Sequence, residues 1–153
     1  MSSPLGFAIV GTGMIAGYHA QAIAQTPGAK LVGIVSRSPE KGAAFAALHG
    51  IPVRTTSVEE MAARPDVHVI NITTPSGAHL VPALTAIRAG KHVVIEKPVE
   101  TTPARVDQIN TAADQAGVKV AAIFQGRFGS GAQTVKAAVQ AGRLGRLVLA
   151  VPT

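Results

Sequence analysis

The fold of this chain is decided by residues 5–16, which read Leu5-Gly6-Phe7-Ala8-Ile9-Val10-Gly11-Thr12-Gly13-Met14-Ile15-Ala16. The apolar run that ends at Val10 predicts a buried strand, and a helical pattern continues from Met14 to about Gln25. Gly11 permits a tight turn between the two elements, and Ala16 lets the helix pack closely on the strand. A strand, a glycine turn and a helix in this order predict the first unit of a parallel α/β sheet.

The segment from Gly11 to Ala16 matches the pattern G-x-G-x-x-(G/A), which binds dinucleotides when it joins a strand to a helix. The missing Cβ at Gly13 lets the backbone approach a pyrophosphate, and the helix N-terminus offers free N–H groups and a partial positive charge. A glycine-rich turn without a ligand is the alternative interpretation. The residues predicted to bind the cofactor here are Gly11, Thr12, Gly13, Met14 and Ile15.

Short apolar runs alternate with amphipathic stretches along the rest of the chain. Further strands are predicted at 30–35, 52–54, 67–72, 91–95 and 118–124, and helices at 40–48, from 57, at 76–89 and from 102 to about 117. Ser57 and Glu60 have the spacing of a capping box. Because the strand runs are continuously apolar, they predict an α/β fold with a doubly wound parallel sheet, the Rossmann fold, over residues 1–124.

The pattern changes after Phe124. Residues 125–131 form a polar, glycine-rich connection, residues 132–141 are helical in pattern, and residues 146–151 predict a seventh strand. We interpret residues 125–153 as the start of a truncated second α+β domain whose remainder is absent. Such a strand would expose an apolar edge, so we expect self-association through it.

The segment after the second predicted strand decides which cofactor is preferred. A carboxylate about 20 residues past the glycines would select NAD by binding the ribose 2′-hydroxyl. The chain instead has Ser36-Arg37-Ser38, with Lys41 one helical turn further on and no acid before Glu40. Hydroxyls and a guanidinium suit a 2′-phosphate, so NADP is favoured over NAD, although Arg37 could simply stack on the adenine.

Composition excludes several classes of protein. Hydrophobic residues make up 47% and charged residues 14%, as in a globular domain, and the absence of cysteine excludes disulfides and thiolate metal sites. The net charge of +6 could suit a nucleic acid, but the basic residues are scattered and aromatics are only 3%, so we expect no nucleic-acid partner. No metal site is expected either. The chain lacks a secretory signal and any apolar run of about 20 residues, so we expect no membrane association and a cytoplasmic location.

Two clusters follow later strands, at the sheet edge where open α/β folds bind ligands. They are Thr73-Thr74-Pro75 with His79, and Glu96-Lys97-Pro98. On spacing alone, Lys97 could be a solvated lysine and His79 a histidine on a helix surface.

Together with the glycine turn, these clusters resemble the Gfo/Idh/MocA family, the glucose–fructose oxidoreductase, inositol dehydrogenase and rhizopine-catabolism proteins. Further motifs carry the resemblance: Ala89-Gly90-Lys91-His92-Val93, Gln125-Gly126-Arg127-Phe128 and Gly142-Arg143-Leu144-Gly145. The resemblance implies NAD(P)-dependent oxidation or reduction of a sugar or polyol. It implies that Lys97 hydrogen-bonds the reacting oxygen beside the nicotinamide and that Glu96 faces the nicotinamide ribose. The residues that it implies to line the cofactor are Thr73, Thr74, Pro75, His79 and Gln125.

In that family a second domain supplies the substrate pocket, a catalytic histidine and the oligomer face. Only the first helix and strand of such a domain are expected here, and none of the five histidines lies in that region. The chain is therefore predicted to be the cofactor-binding part of an oxidoreductase that acts on a small sugar or polyol. The alternative is a stand-alone NADP-binding module that senses redox state or docks on a partner, although such a module has no chemical need for Lys97.

Overall fold

A computed structural model describes residues 3–150 of the chain. Six parallel strands form one sheet in the order β3-β2-β1-β4-β5-β6. The strands are β1 Leu5–Val10, β2 Ala29–Val35, β3 Val53–Thr55, β4 Val69–Ile72, β5 His92–Ile95 and β6 Val120–Ala122. The helices are α1 Met14–Gln25, α2 Pro39–His49, α3 Val58–Ala62, α4 Leu80–Arg88, α5 Pro103–Ala116 and α6 Ser130–Gln140. The predicted doubly wound parallel sheet is confirmed: the connection from β3 to β4 crosses to the other half of the sheet, so the switch point lies between the adjacent strands β1 and β4.

Helices cover both faces of the sheet. Ile9 of β1 packs in a cluster with residues of α1 and α2, whereas its neighbours Ala8 and Val10 pack in a cluster with residues of α3, α4 and α5. Successive residues of one strand are therefore buried on opposite sides, which is why the strands read as continuous apolar runs. Within residues 3–150, no helix has both the length and the apolar character needed to cross a membrane.

The predicted capping box at α3 is only half formed. The Ser57 hydroxyl accepts a hydrogen bond from the backbone N–H of Glu60 at 3.1 Å, as expected of an N-cap. The reciprocal bond is not made, because the N–H of Ser57 donates to Thr55 Oγ1 at 3.1 Å and the Glu60 carboxylate accepts from the Thr55 hydroxyl. The end of β3 therefore satisfies the groups that a capping box would have paired with each other.

Several predicted boundaries shift in the structure. The helix expected from Ser76 begins as a 3-10 helix, Ser76–Ala78, and becomes α-helical only at Leu80. The strand expected to end at Phe124 ends at Ala122, and the strand expected at 52–54 runs from Val53 to Thr55. These differences arise at element ends, where tertiary contacts rather than the apolar pattern decide the last residues.

The contacts divide the chain into two units, Met1–Ile123 and Phe124–Thr153. Within the second unit, a 3-10 helix at Gln125–Phe128 precedes α6. The predicted strand at 146–151 is wrong over 146–150, and its last residue, Val151, lies outside the described residues. A strand needs a neighbour to satisfy its backbone groups, and residues 146–150 have no partner strand among those described; Val148 is 87% exposed.

Glu100 ties three elements together at the end of the sheet that carries Lys97. Its carboxylate accepts hydrogen bonds from the N–H of Leu80 at 3.1 Å, the N–H of Thr101 at 2.7 Å and Nε of Arg105 at 2.9 Å. The side chain is fully buried, whereas that of Arg105 is 36% exposed. Burial alone would raise the pKa of the Glu100 carboxyl, but the bonds from Arg105, Thr101 and Leu80 lower it to about 2.

The low pKa of Glu100 makes stability depend on acidity. The unfolded carboxyl has its ordinary pKa of 4.5, so the unfolded state binds more protons in acid than the folded state does. The contribution of Glu100 is therefore complete above about pH 5 and is lost as the pH falls towards 2. We expect Glu100→Gln to reduce the free energy of unfolding at pH 7 by about 2–4 kcal/mol and to flatten this acid dependence. Urea unfolding at several pH values measures both.

Asp107→Asn is the matched control, because Asp107 is an exposed acid on the same helix as Arg105. Its unfolding free energy should follow that of the parent chain across the pH range. Equal acid dependence in the parent and in Glu100→Gln would contradict the assignment.

Candidate functional site

The carboxyl ends of the parallel strands meet at one edge of the sheet. Four loops leave that edge: Gly11–Gly13 after β1, Ser36–Ser38 after β2, Thr73–Pro75 after β4 and Glu96–Pro98 after β5. All the candidate residues of the first unit lie on these loops or on the first turns that follow them. This is the edge at which open α/β sheets bind ligands.

The turn after β1 is bonded to its neighbouring strands. Gly11 has φ of +109°, and its N–H donates to the Val35 carbonyl at 2.9 Å. A Cβ on Gly11 would lie 3.0 Å from both the backbone oxygen and Oγ1 of Thr73. Thr73 in turn donates to the Val10 carbonyl from its N–H at 3.0 Å and from its hydroxyl at 2.9 Å. Both the backbone angle and the close approach therefore require glycine at position 11.

The N-terminus of α1 differs from those of α2, α3 and α5, although α4 and α6 also lack a side-chain cap. Ser38, Ser57 and Thr102 each cap a helix with a side-chain oxygen. In the described chain, α1 has Gly13 at its N-cap, no side-chain cap and no acidic residue in its first turn. A Cβ on Gly13 would meet no described atom within 4 Å. The space beside Gly13 is thus open, and the position and partial positive charge of this helix N-terminus fit the pyrophosphate of a dinucleotide.

The segment after β2 contains an acid close to the predicted phosphate ligands. Ser36 is buried and Arg37 is exposed. The Ser38 hydroxyl accepts from the N–H of Lys41 at 3.2 Å and donates to Oε2 of Glu40 at 2.8 Å. The hydrogen bond from Ser38 lowers the pKa of the Glu40 carboxyl. Ser38 therefore serves first as a helix cap, and a negative charge is held beside it.

His79 is a buried bridge between two site loops. Its side chain is 1% exposed, so the interpretation as a histidine on a helix surface is wrong. Nδ1 lies 3.0 Å from the Pro98 oxygen and 3.1 Å from the Val99 oxygen, and Nε2 lies 2.8 Å from the Thr74 oxygen. Both ring nitrogens thus face protein carbonyls, so His79 acts on the site by joining the Thr74 loop to the Lys97 loop.

A second buried group was not predicted from the sequence. His19 of α1 lies with Nε2 2.9 Å from Oε1 of Glu96 and with Nδ1 2.8 Å from Nδ2 of Asn71. The other oxygen of Glu96 accepts the N–H of Lys97 at 3.1 Å. The sequence does contain a signal for this group, because Asn71 interrupts an apolar strand and His19 lies between Ala16 and Ile23 on the buried stripe of α1.

The remaining candidate residues lie mostly at the surface. Lys97 is exposed at the carboxyl end of β5. The Thr74 hydroxyl donates to the Ala78 oxygen at 3.1 Å, within its own loop. Pro75 is exposed at the start of the 3-10 turn. Gln125 is exposed in the second unit. Residues 3–150 contain no group of three histidine or acidic side chains that could hold a metal ion.

Comparison with known proteins matches residues 5–124 to the GFO_IDH_MocA model, an oxidoreductase family with an NAD-binding Rossmann fold. The chain is 34% identical, over 93% of its length, to a 1,5-anhydro-D-fructose reductase of Ensifer adhaerens. It superimposes with a TM-score of 0.90 and 35% identity, over 95% of its length, on the WlbA dehydrogenase of Bordetella pertussis, solved in complex with NADH and UDP-GlcNAcA. With scyllo-inositol dehydrogenase of Lactobacillus casei, solved with NAD(H) and scyllo-inositol, the TM-score is 0.86 and the identity 28%, over 94% of the chain.

The chain spans less than half the length of these proteins. It covers 43% of the reductase, 42% of the WlbA dehydrogenase chain and 43% of the inositol dehydrogenase chain.

The two glycines of the turn should respond differently to a methyl group. Gly11→Ala places a Cβ against Thr73 at a backbone angle that favours glycine, so we expect it to lower the free energy of unfolding by about 1–3 kcal/mol. Gly13→Ala meets open space, and its effect should stay below about 1 kcal/mol. Denaturant unfolding of the two variants measures the difference. Equal destabilisation would show that the turn differs from the one described.

Proposed function

The chain belongs to the Gfo/Idh/MocA oxidoreductase family, and on this premise we propose that it is the NAD(P)-binding part of an enzyme that oxidises or reduces a sugar or polyol. The single observation that supports this best is the uncapped N-terminus of α1 at the sheet edge that also carries Lys97. One feature suits a pyrophosphate and the other suits a reacting oxygen. A module that only binds a cofactor would need the first feature and not the second.

Each loop of the edge has a role in this proposal. The turn Gly11–Gly13 and the first turn of α1, with Thr12, Met14 and Ile15, bind the pyrophosphate. Thr73, Thr74 and Pro75 line the cofactor beside that turn, and the role of Gln125 stays a prediction from the sequence resemblance. His79 and Glu96 act mainly by holding their loops, since His79 binds the Thr74 oxygen and Glu96 binds the N–H of Lys97.

When bound, the nicotinamide ring accepts or donates a hydride at the reacting carbon. Lys97 contributes a hydrogen bond to the oxygen on that carbon. Its ammonium stabilises the negative charge that develops when a hydroxyl loses its proton or when a carbonyl accepts the hydride. Because Lys97 is exposed at the edge, its side chain is accessible to a substrate that approaches from solvent.

NADP is the cofactor that we propose to be preferred. Exposed Arg37 at the end of β2 supports this, as does the lack of an acid at positions 36–38, where NAD-selecting carboxylates stand. Glu40 opposes it, because its carboxylate is bonded to Ser38 close to where a 2′-phosphate would lie. The preference therefore depends on whether Arg37 outweighs the charge of Glu40.

Titration of the chain with NADPH and NADH by calorimetry tests this balance. We expect the parent chain to bind NADPH more tightly than NADH. Arg37→Ala should lower the affinity for NADPH about tenfold or more, because a charge-assisted hydrogen bond is lost. Glu40→Gln should raise the affinity for NADPH, because a charge repulsion is removed. NADH affinity should change little in either variant. Gly13→Val should abolish binding of both cofactors in a folded chain, since its side chain would occupy the space in front of α1. Tighter binding of NADH by the parent chain would refute the NADP preference.

The second unit, Phe124–Thr153, is proposed to begin the domain that binds the substrate. Its apolar side chains are widely exposed; among them are Phe128, Val135, Leu147, Val148 and Leu149. Exposed apolar surface of this kind favours association, so we propose that the chain on its own self-associates through residues 125–150. This self-association does not require the predicted seventh strand to form.

We expect the 153-residue chain to bind cofactor but to show little or no dehydrogenase activity. Hydride transfer needs the reacting carbon held near the nicotinamide, and such positioning supplies roughly 7–11 kcal/mol of barrier reduction. A lone lysine cannot position a sugar, and a second proton-transfer group would contribute a further factor of about 10²–10⁴. Cofactor reduction with a panel of sugars and polyols, together with light scattering, measures activity and association. Robust turnover that is lost in Lys97→Ala would contradict this expectation while supporting the role of the lysine.

A further inference from the structure

Three polar side chains from separate elements meet beneath the β5 loop. His19 comes from α1, Asn71 from β4 and Glu96 from the end of β5. His19 is 9% exposed and Asn71 is 4% exposed, and the side chain of Glu96 is 14% exposed. The three side chains are hydrogen-bonded to one another, which constrains their arrangement, although Oδ1 of Asn71 is buried without a hydrogen-bond partner among the described residues.

The hydrogen bonds have a direction. The Asn71 Nδ2 group can only donate, so Nδ1 of His19 accepts from it. The proton of a neutral ring then lies on Nε2, which donates to Oε1 of Glu96 at 2.9 Å. Asn71 therefore selects the tautomer of His19 that can hold Glu96.

Glu96 links His19 to the backbone of Lys97. Its Oε1 is held by His19, and its Oε2 accepts the backbone N–H of Lys97 at 3.1 Å. The backbone N–H of Glu96 is also bound, to the Ile72 oxygen at 3.1 Å. The direction in which the chain leaves β5, and with it the point from which the Lys97 side chain extends, thus depends on where the Glu96 carboxylate is held.

We propose that His19 is a positioning residue for Lys97, acting through Glu96. The inference rests on the role proposed above for Lys97 and adds a residue that acts without touching substrate. His19 lies on the same helix whose N-terminus begins at Gly13. The same helix, α1, therefore presents its N-terminus to the pyrophosphate and, through His19 and Glu96, fixes the backbone position of Lys97. The distance between the pyrophosphate site and Lys97 is thereby held constant.

An apolar side chain at position 19 would fill space between α1 and the sheet equally well. It would leave the Glu96 carboxylate without its partner inside a mostly buried position, and the carboxylate would turn towards water. The N–H of Lys97 would then lose its acceptor. The change should affect the Lys97 amide and leave the first turn of α1 unaffected, because that turn makes no hydrogen bond to the side chains of His19, Asn71 or Glu96.

The test measures how fast individual amide protons of the ¹⁵N-labelled chain exchange with water. In His19→Ala we expect the Lys97 amide to exchange roughly three- to tenfold faster, as for the loss of one hydrogen bond. His19→Gln retains an N–H donor that can reach Glu96, so it should restore most of the protection. Amides of the first turn of α1 should be unchanged in both variants. Gln21→Ala, an exposed change on the same helix, is the matched control.

A merely structural role would slow or speed many amides together and would not be rescued by glutamine. An unchanged Lys97 amide in a folded His19→Ala chain would overturn the proposal. If His19→Ala fails to fold, Glu96→Ala is the second variant, and it must raise Lys97 exchange by a similar factor for the proposal to stand. The ¹⁵N shifts of the His19 ring must also show the proton on Nε2; a proton on Nδ1 alone would exclude the arrangement.

The same samples are titrated with NADPH and NADH to keep the two proposals apart. Failure of the parent chain to bind either cofactor would contradict the proposed function, and the amide result would still decide the role of His19. Conversely, normal binding together with an unaffected Lys97 amide would leave the proposed function standing and remove His19 from it.

Discussion

The parallel pairing of β1 with β4 is the contact on which the candidate site depends. Val10 lies opposite Ile72 in this pair, so the loops that follow the two strands leave the sheet side by side. Thr73 then bonds twice to the Val10 oxygen, and Gly11 is left no room for a side chain. The glycine turn owes its shape to this neighbour as much as to its own residues, whereas the start of α1 lacks a side-chain cap because its N-cap residue is Gly13.

The loops at this edge are held together by buried polar groups. His79 joins the Thr74 loop to the Pro98 loop, Glu100 joins α4 to α5, and His19 joins α1 to the end of β5. The hydrogen bonds of these groups are directional. A hydrogen bond specifies both a distance and an angle, whereas apolar packing specifies mainly a volume. Under the proposed function, that directionality would hold the glycine turn and Lys97 at a fixed separation.

Much of the fold could be predicted because its signals are local. The bounds of β1 and α1 are those predicted, since an apolar run, a glycine turn and a helical pattern follow one another without interruption. The strand at 146–151 was predicted from the same kind of signal and failed over 146–150, because an apolar run becomes a strand only where another strand offers hydrogen bonds. The capping box failed in part for a related reason: Thr55, on a neighbouring strand, bound the groups that were expected to bind each other.

The sequence by itself determined the doubly wound sheet, the glycine turn and the candidates at the strand ends, because spacing along the chain encodes all three. Only the tertiary structure decided what those candidates contact. It buried His79 between two loops, engaged Ser38 as a helix cap beside Glu40, and brought His19 and Asn71 to Glu96 from positions 77 and 25 residues away along the chain. Partners so distant in sequence meet only when β1, β4 and β5 pair and α1 packs against them, and no local pattern records that meeting.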